Sequence, residues 1–258
     1  MADTFKASLK LLCLLLWIAA WCLPVWAAKK GGKIALRDRM VRLCYAGILR
    51  IAGITLKVTG QPDKARPLLL VTNHISYLDI WILGSAAPVR FMPKSEVAKW
   101  PVIGWICRNC DAIFVDRRPE KIREMTQTVQ AALARGELVC LFPEGTTGNG
   151  VHLLPFKSSF FSLAEEPIDG RELTIQPAAI RYTRIRRLPI DSTQWPLIAW
   201  YGDMELAPHL WEILKMGSIE AELAFLPPVT LSQYGDRKQM AAQCWKEIAA
   251  VLETPIIN

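Results

Sequence analysis

LLLVTNHISYLDIW, residues 68–81, changes periodicity in its middle. Residues 68–72 are an apolar run closed by a threonine, the pattern of a strand buried on both faces. Ser76 and Asp79 then form S-x-x-D ahead of further apolar residues, a helix N-terminal signature. Residues 76–86 therefore read as a helix with Ser76 at its N-cap. Asn73 and His74 fill the turn between the two elements. His74 is one of only three histidines in the chain, and it stands where a buried strand gives out.

The same alternation continues to the C-terminus. Strands are predicted at 67–72, 89–94, 111–117, 137–143 and 173–183, with Pro177 marking the last as an edge strand or a bulge. Two more are predicted at 196–202 and 218–229. Helices are predicted at 76–86, 100–110, 119–135, 156–166, 207–216 and 236–252. Pro119 opens one of these and Gly136 stops it. Strands alternating with helices imply an α/β fold, a single largely parallel sheet flanked by helices. With no repeat or long linker, residues 59–258 read as one catalytic domain behind an N-terminal segment, 1–58.

That segment is membrane-like. Residues 11–28, LLCLLLWIAAWCLPVWAA, carry no charge and lie between Lys6 and Lys10 on one side and Lys29, Lys30 and Lys33 on the other. A signal peptide would offer the small residues after Trp26 for cleavage, but this apolar run is longer than the usual one. It approaches the roughly 20 residues of a spanning helix, with Pro24 expected to kink it. Residues 38–54 place Val41, Tyr45, Ile48 and Ala52 near one helical face and Arg39, Arg42 and Arg50 off it. Such an amphipathic helix suits the headgroup layer of an anionic bilayer, an ordinary surface helix being the alternative. The reading is a membrane-docking helical segment.

Net charge is +7, from 31 Lys and Arg against 24 Asp and Glu, which favours an anionic partner. The basic residues are dispersed and form no nucleic-acid-binding motif, so a membrane surface or a phosphorylated ligand is expected and nucleic acid is not. Seven cysteines, most inside apolar runs, fit a reducing compartment. Cys107 and Cys110 form C-x-x-C, without the second pair a zinc site needs or a thioredoxin-like context.

His74 and Asp79 are five residues apart, about 140° around a continuous helix, and would not face each other there. With His74 in the preceding turn, its ring can fold back over the first helical turn. A carboxylate at Asp79 could then hold one ring nitrogen and leave the other as a base. No G-x-S-x-G elbow supplies a serine nucleophile, and Cys140 lies in a predicted buried strand. A base without a protein nucleophile suits direct activation of a substrate hydroxyl. A second constellation, LFPEGTTGNG (141–150), also follows an apolar strand; its glycine N–H groups and threonine hydroxyls can cradle an anion. Lys94 and Arg117 close two further predicted strands. Ligands of open parallel sheets bind beyond the strands' carboxyl ends, where His74, Lys94, Arg117 and Glu144 would converge.

Four blocks in order resemble a known family. NHISYLD (73–79) is similar to the N-H-x4-D block of the PlsC-like glycerolipid acyltransferases, which make phosphatidic acid from 1-acyl-sn-glycerol 3-phosphate. Residues 94–117 resemble their second block, FPEGTT (142–147) the third and IQPAAI (175–180) the fourth. The N-terminal helices resemble the membrane-docking helices of bacterial members. The resemblance implies a lysolipid O-acyltransferase at the bacterial inner membrane, its active site facing the cytosol. His74 would be the general base and Asp79 its orienting partner. An acyl-CoA or acyl carrier protein thioester would be the donor, with no metal or prosthetic group. Arg117, Glu144, Gly145, Thr146 and Lys94 would bind the acceptor headgroup.

One position departs from the pattern. Members acting on the simple phosphate acceptor carry an arginine after E-G-T, and here Thr147 stands there. Loss of a bidentate phosphate partner leaves a second acceptor class open, including lyso-ornithine lipid, whose acyltransferases tolerate E-G-T-T. Phosphatidate synthesis is the reference activity, with lyso-ornithine lipid the alternative acceptor. A non-catalytic lipid-binding protein and a thioester hydrolase are the readings from other classes.

Overall fold

Leu68–Thr72 is buried at every position, as a strand covered on both faces must be. In the computed structural model, which describes residues 2–116, 118–191 and 193–254, it is the second of eight strands in one sheet. The strands are β1 (Ile54–Thr59), β2 (Leu68–Thr72), β3 (Val89–Arg90), β4 (Leu138–Leu141), β5 (Thr174–Ile185), β6 (Leu188–Pro189), β7 (Ile219–Phe225) and β8 (Val229–Thr230). The main path is β1-β7-β5-β2-β4-β3, with β6 and β8 paired to β5. Every neighbour on the main path is parallel except β5 and β7, so the sheet is largely parallel as expected.

The helices are α1 (Ala2–Lys30), α2 (Ile34–Ala52), α3 (Leu78–Ala86), α4 (Pro101–Asn109), α5 (Pro119–Ala134), α6 (Leu206–Lys215) and α7 (Arg237–Glu253). Alternate residues of β2 feed two cores. Leu68 and Leu70 pack with Ile48 of α2, Leu83 of α3 and Ile213 of α6. Leu69 and Val71 pack with Val129 and Leu133 of α5 and Cys244 of α7. This period-2 division is why an unbroken apolar run was needed.

The N-terminal segment is not separable from this architecture. The boundary expected at 58/59 falls inside β1, which pairs in parallel with β7. ITLKVT alternates apolar and polar residues, the period-2 signal of that unexpected strand. α1 runs unbroken through Pro24 and is long and apolar enough to cross a membrane by length and composition. One face packs on the domain: Ala7 and Leu14 join the same core as β2, and the Lys10 ammonium donates to the Ala52 and Gly217 carbonyls at 2.8 Å each. At the far end of α1, charges knit the helices to the sheet edge. Lys29 and the fully buried Arg37 both pair with Asp111. Asp38 takes Arg37 and Arg90, and Arg90 also reaches Glu137 at 3.1 Å.

Four local expectations change. Residues 111–116 form no strand; they run beside 91–95, donating from Ile113 to Phe91 and from Val115 to Pro93, with Ser95 returning one bond. Pro93 has no N–H to contribute, so the ladder stops at a bridge. Residues 196–202 begin as a 3-10 turn, Trp195–Leu197, and continue as a buried loop, and Ser158–Ala164 is 3-10 rather than α-helical. Pro177 sits in the middle of the sheet, not at an edge. Its carbonyl accepts from Leu226, so its missing N–H faces the break between β7 and β8, where no strand needs it.

Candidate active site

The connections that leave the carboxyl ends of β2 and β4, with β5 running beside them, build the site. Beyond Thr72, the Asn73 side chain takes over from the ladder, donating to the Ile180 carbonyl and accepting its N–H, both at 2.9 Å. That amide staple fixes the chain before it turns, which is why His74 projects from a rigid point.

The His74 and Asp79 side chains meet, Nδ1 to Oδ2 at 2.8 Å. Asp79 is wholly buried, and its oxygens are saturated with donors. Oδ2 also accepts the backbone N–H groups of Ile75 (2.8 Å) and Ser76 (2.9 Å), and Oδ1 accepts the Tyr182 hydroxyl at 2.8 Å. Burial, with the Asp79 charge beside it, pushes the Tyr182 hydroxyl well above the ordinary tyrosine range, so it remains a donor. A carboxylate held by so many donors is fixed in place, and it engages the imidazole through Nδ1, leaving Nε2 on the other side of the ring. α3 begins at Leu78 with Tyr77 at its N-cap, one residue later than the S-x-x-D pattern implies. Asp79 reaches back to the Ser76 N–H as in a capping box, but the Ser76 hydroxyl is buried without a partner.

The strand-end turn after β4 closes over the same histidine. Phe142 stacks on the imidazole, ring centroids 3.8 Å apart and planes 17° from parallel. Glu144 is buried, and its two oxygens accept from His74 N (2.6 Å) and Leu154 N (3.2 Å). Burial pushes its carboxyl up to about 8, against the downward pull of those two N–H groups. Gly145 takes φ +73°, where a Cβ would also meet the Lys157 ammonium and the Phe160 ring. Gly148 N donates to the His74 carbonyl at 2.9 Å, and Trp200 N to the Ile75 carbonyl at 2.7 Å. The backbone around His74 is thus held from three sides.

Of the residues singled out in the sequence, His74, Asp79, Glu144 and Gly145 are brought together. Lys94 and Thr146 are exposed, on the connections after β3 and β4. Arg117 lies outside the described residues. His209 is turned away from the catalytic pair, its Nδ1 3.1 Å from the Tyr77 hydroxyl within an aromatic group that includes Trp81 and Trp200. Sequence reasoning missed Tyr182, Phe142 and Asn73 as parts of the site. Phe142 and Asn73 each adjoin a motif residue, but Tyr182 had no signal beyond lying in a predicted strand. A cavity of about 470 Å³ opens beside the turn, bounded by Asn73, Ile75, Glu144, Trp195, Ile198 and Trp245 among others. Its size falls within the range of small-molecule sites.

An imidazole nitrogen backed by a buried carboxylate, with no serine or cysteine hydrogen-bonded to it among the described residues, is equipped to take a proton from a bound hydroxyl. Similarity to known proteins gives the family. A profile described as Acyltransferase matches residues 55–181. A lyso-ornithine lipid O-acyltransferase from Brucella abortus is 36% identical over 226 residues, covering 86% of this chain and 85% of that protein. The chain belongs to the PlsC-like acyltransferase family. Among this acyltransferase's other relatives is a 1-acyl-sn-glycerol-3-phosphate acyltransferase from Neisseria meningitidis, 29% identical over 89% of this chain and 90% of that one. The acyltransferase fold also matches the crystal structure of the 1-acyl-sn-glycerophosphate acyltransferase PlsC from Thermotoga maritima. That match has a TM-score of 0.57 at 18% identity, over 95% of this chain and 96% of the other.

Proposed function

We propose that this acyltransferase esterifies lyso-ornithine lipid, taking the acyl group from acyl-CoA or acyl carrier protein at the cytosolic face of a bacterial inner membrane. The observation that carries the acceptor choice is Thr147. The position after E-G-T holds a hydroxyl where a phosphate-binding arginine would stand. The relatives support it: the proteins named lyso-ornithine lipid O-acyltransferase from Brucella abortus and Rhizobium meliloti are each 36% identical to this chain. Phosphatidate synthesis is the second reading, supported by the Neisseria relative.

In this reading Nε2 of His74 removes the proton of the acceptor hydroxyl as its oxygen attacks the thioester carbonyl carbon. The tetrahedral intermediate collapses with loss of the thiolate, which takes the proton back from the imidazolium. Asp79 fixes the tautomer and stabilises the imidazolium. Glu144, engaged through both oxygens with backbone N–H groups, braces the His74 turn, while the family resemblance assigns Gly145, Thr146, Lys94 and Arg117 to the headgroup. No metal or prosthetic group takes part. The cavity beside Glu144 offers apolar walls to an acyl chain.

A panel of lysolipids with labelled acyl donor tests the reading. Esterification of lyso-ornithine lipid in preference to 1-acylglycerol 3-phosphate is expected. The reverse preference establishes phosphatidate synthesis, and free fatty acid formed equally without any acceptor establishes a hydrolase.

A further inference from the structure

Trp100 and α4, in the connection that follows β3, form an apolar outcrop. Val102 is 65% exposed, and Trp100 and Trp105 are 39% and 36% exposed. Pro101, Val102, Trp105 and Arg108 make a single exposed stripe, and Gly104 at its border is pressed against the Ala98 carbonyl so closely that a Cβ would collide with it. Indole rings combine an apolar body with one polar N–H and favour the boundary between hydrocarbon and headgroups.

The outcrop continues a larger apolar face. On α1, Phe5, Leu9, Leu12, Leu16, Leu23 and Trp26 are exposed, spaced by threes, fours and a seven that put them on one side of the helix. One turn beyond Trp26, Lys29 donates to the carbonyl of Arg108, in the last turn of α4, and pairs with Asp111 at 2.5 Å. The ends of α1 and α4 are therefore tied together. Around α4, Lys94, Lys99 and Arg108 are exposed. Of the nearby carboxylates, Asp111 is taken by Lys29 and Arg37 and Asp116 by Arg118, which leaves Glu96. A basic rim around tryptophans fits anionic lipid, whereas a second copy of the chain would bring the same charges face to face.

We infer that α4 is a membrane contact in its own right, seated at the headgroup boundary of an anionic bilayer. Trp100, Val102 and Trp105 enter the apolar layer, and Lys99 and Arg108 meet lipid phosphates.

The test is photocrosslinking of the full chain, reconstituted into vesicles of phosphatidylethanolamine and phosphatidylglycerol with radiolabelled acyl chains. A photoreactive benzoylphenylalanine replaces Val102, or Leu16 on the α1 face, or Asp169 in an exposed turn before β5. Lipid label at 102 as at 16, and its loss at 169, is the expected result. Label at 16 without label at 102 overturns the inference, as does label at neither position in protein that floats with the vesicles. A crosslinked dimer at 102 overturns it in favour of self-association.

Discussion

Tyr182 of β5 donates to Asp79 of α3 across 2.8 Å of protein interior, placing a strand of the far half of the chain directly behind the His74–Asp79 pair. Replacing it with phenylalanine leaves a buried carboxylate oxygen without its donor, a loss of about 1–3 kcal/mol. For a chain of this size that corresponds to roughly 2–4 °C of Tm per kcal/mol. Because Tyr182 acts through Asp79, kcat for acyl transfer is expected to fall about tenfold, equivalent to about 1.4 kcal/mol of barrier, with KM little changed. Steady-state kinetics decide it. A rise in KM at unchanged kcat would show that the hydroxyl serves substrate binding instead.

His74→Ala removes the base, and Asp79→Asn removes the charge while preserving shape. Each is expected to lower kcat by roughly 10²–10⁴, the usual range for losing acid–base catalysis. Near-normal circular dichroism should accompany His74→Ala, because the backbone bonds to His74 N and its carbonyl survive. Full activity in either variant would remove the pair from the mechanism.

Glu144 carries a pH dependence of definite sign. Its carboxyl lies at about 8 in the folded protein, above the ordinary glutamate value of about 4.3. The folded state therefore keeps a proton that the unfolded chain gives up, and stability falls as pH rises through that interval. Below it the effect is absent, and above pH 8 it is complete. Glu144→Gln cannot titrate, so the Tm of wild type relative to this variant should decline between pH 5 and 8. A flat or rising difference would contradict the assignment.

Thr147→Arg restores a guanidinium where acceptors with a phosphate need one. A charge-assisted hydrogen bond is worth about 1.5–3 kcal/mol, so the kcat/KM ratio for 1-acylglycerol 3-phosphate over lyso-ornithine lipid should rise at least about tenfold. Competition between the two acceptors in one assay measures this directly, and an unchanged ratio would detach acceptor choice from this position.

The parts of the fold that could be read in advance were those whose signal is local. Leu68–Thr72, Leu138–Leu141 and the helix opened by Pro119 each carry their own periodicity and stop signals. His74 and Asp79 were legible because a five-residue spacing across a turn is a local matter. Pro177 misled because its tolerance depends on where β7 ends and β8 begins, two elements about fifty residues away. Residues 196–202 misled because burial of Ile198 and Ala199 against the site mimics a strand's composition without a partner strand. Tyr182 could not be assigned at all. Its role comes from the parallel pairing of β2 with β5, which no periodicity within either strand encodes.

The inner face of α1 has a practical consequence. Ala7 and Leu14 belong to the same core as β2, Trp17 donates to the Cys44 carbonyl at 3.0 Å, and Lys10 closes the carbonyl end of α2. Deleting residues 1–30 would not release a water-soluble enzyme; it would strip the cover from α2 and leave its carbonyls and apolar side chains bare. Expression of the truncated chain should give aggregate, whereas full-length protein stays dispersed in detergent. The apolar N-terminal helix of this acyltransferase is a structural member of its core, so it cannot be cut away without opening the domain it covers.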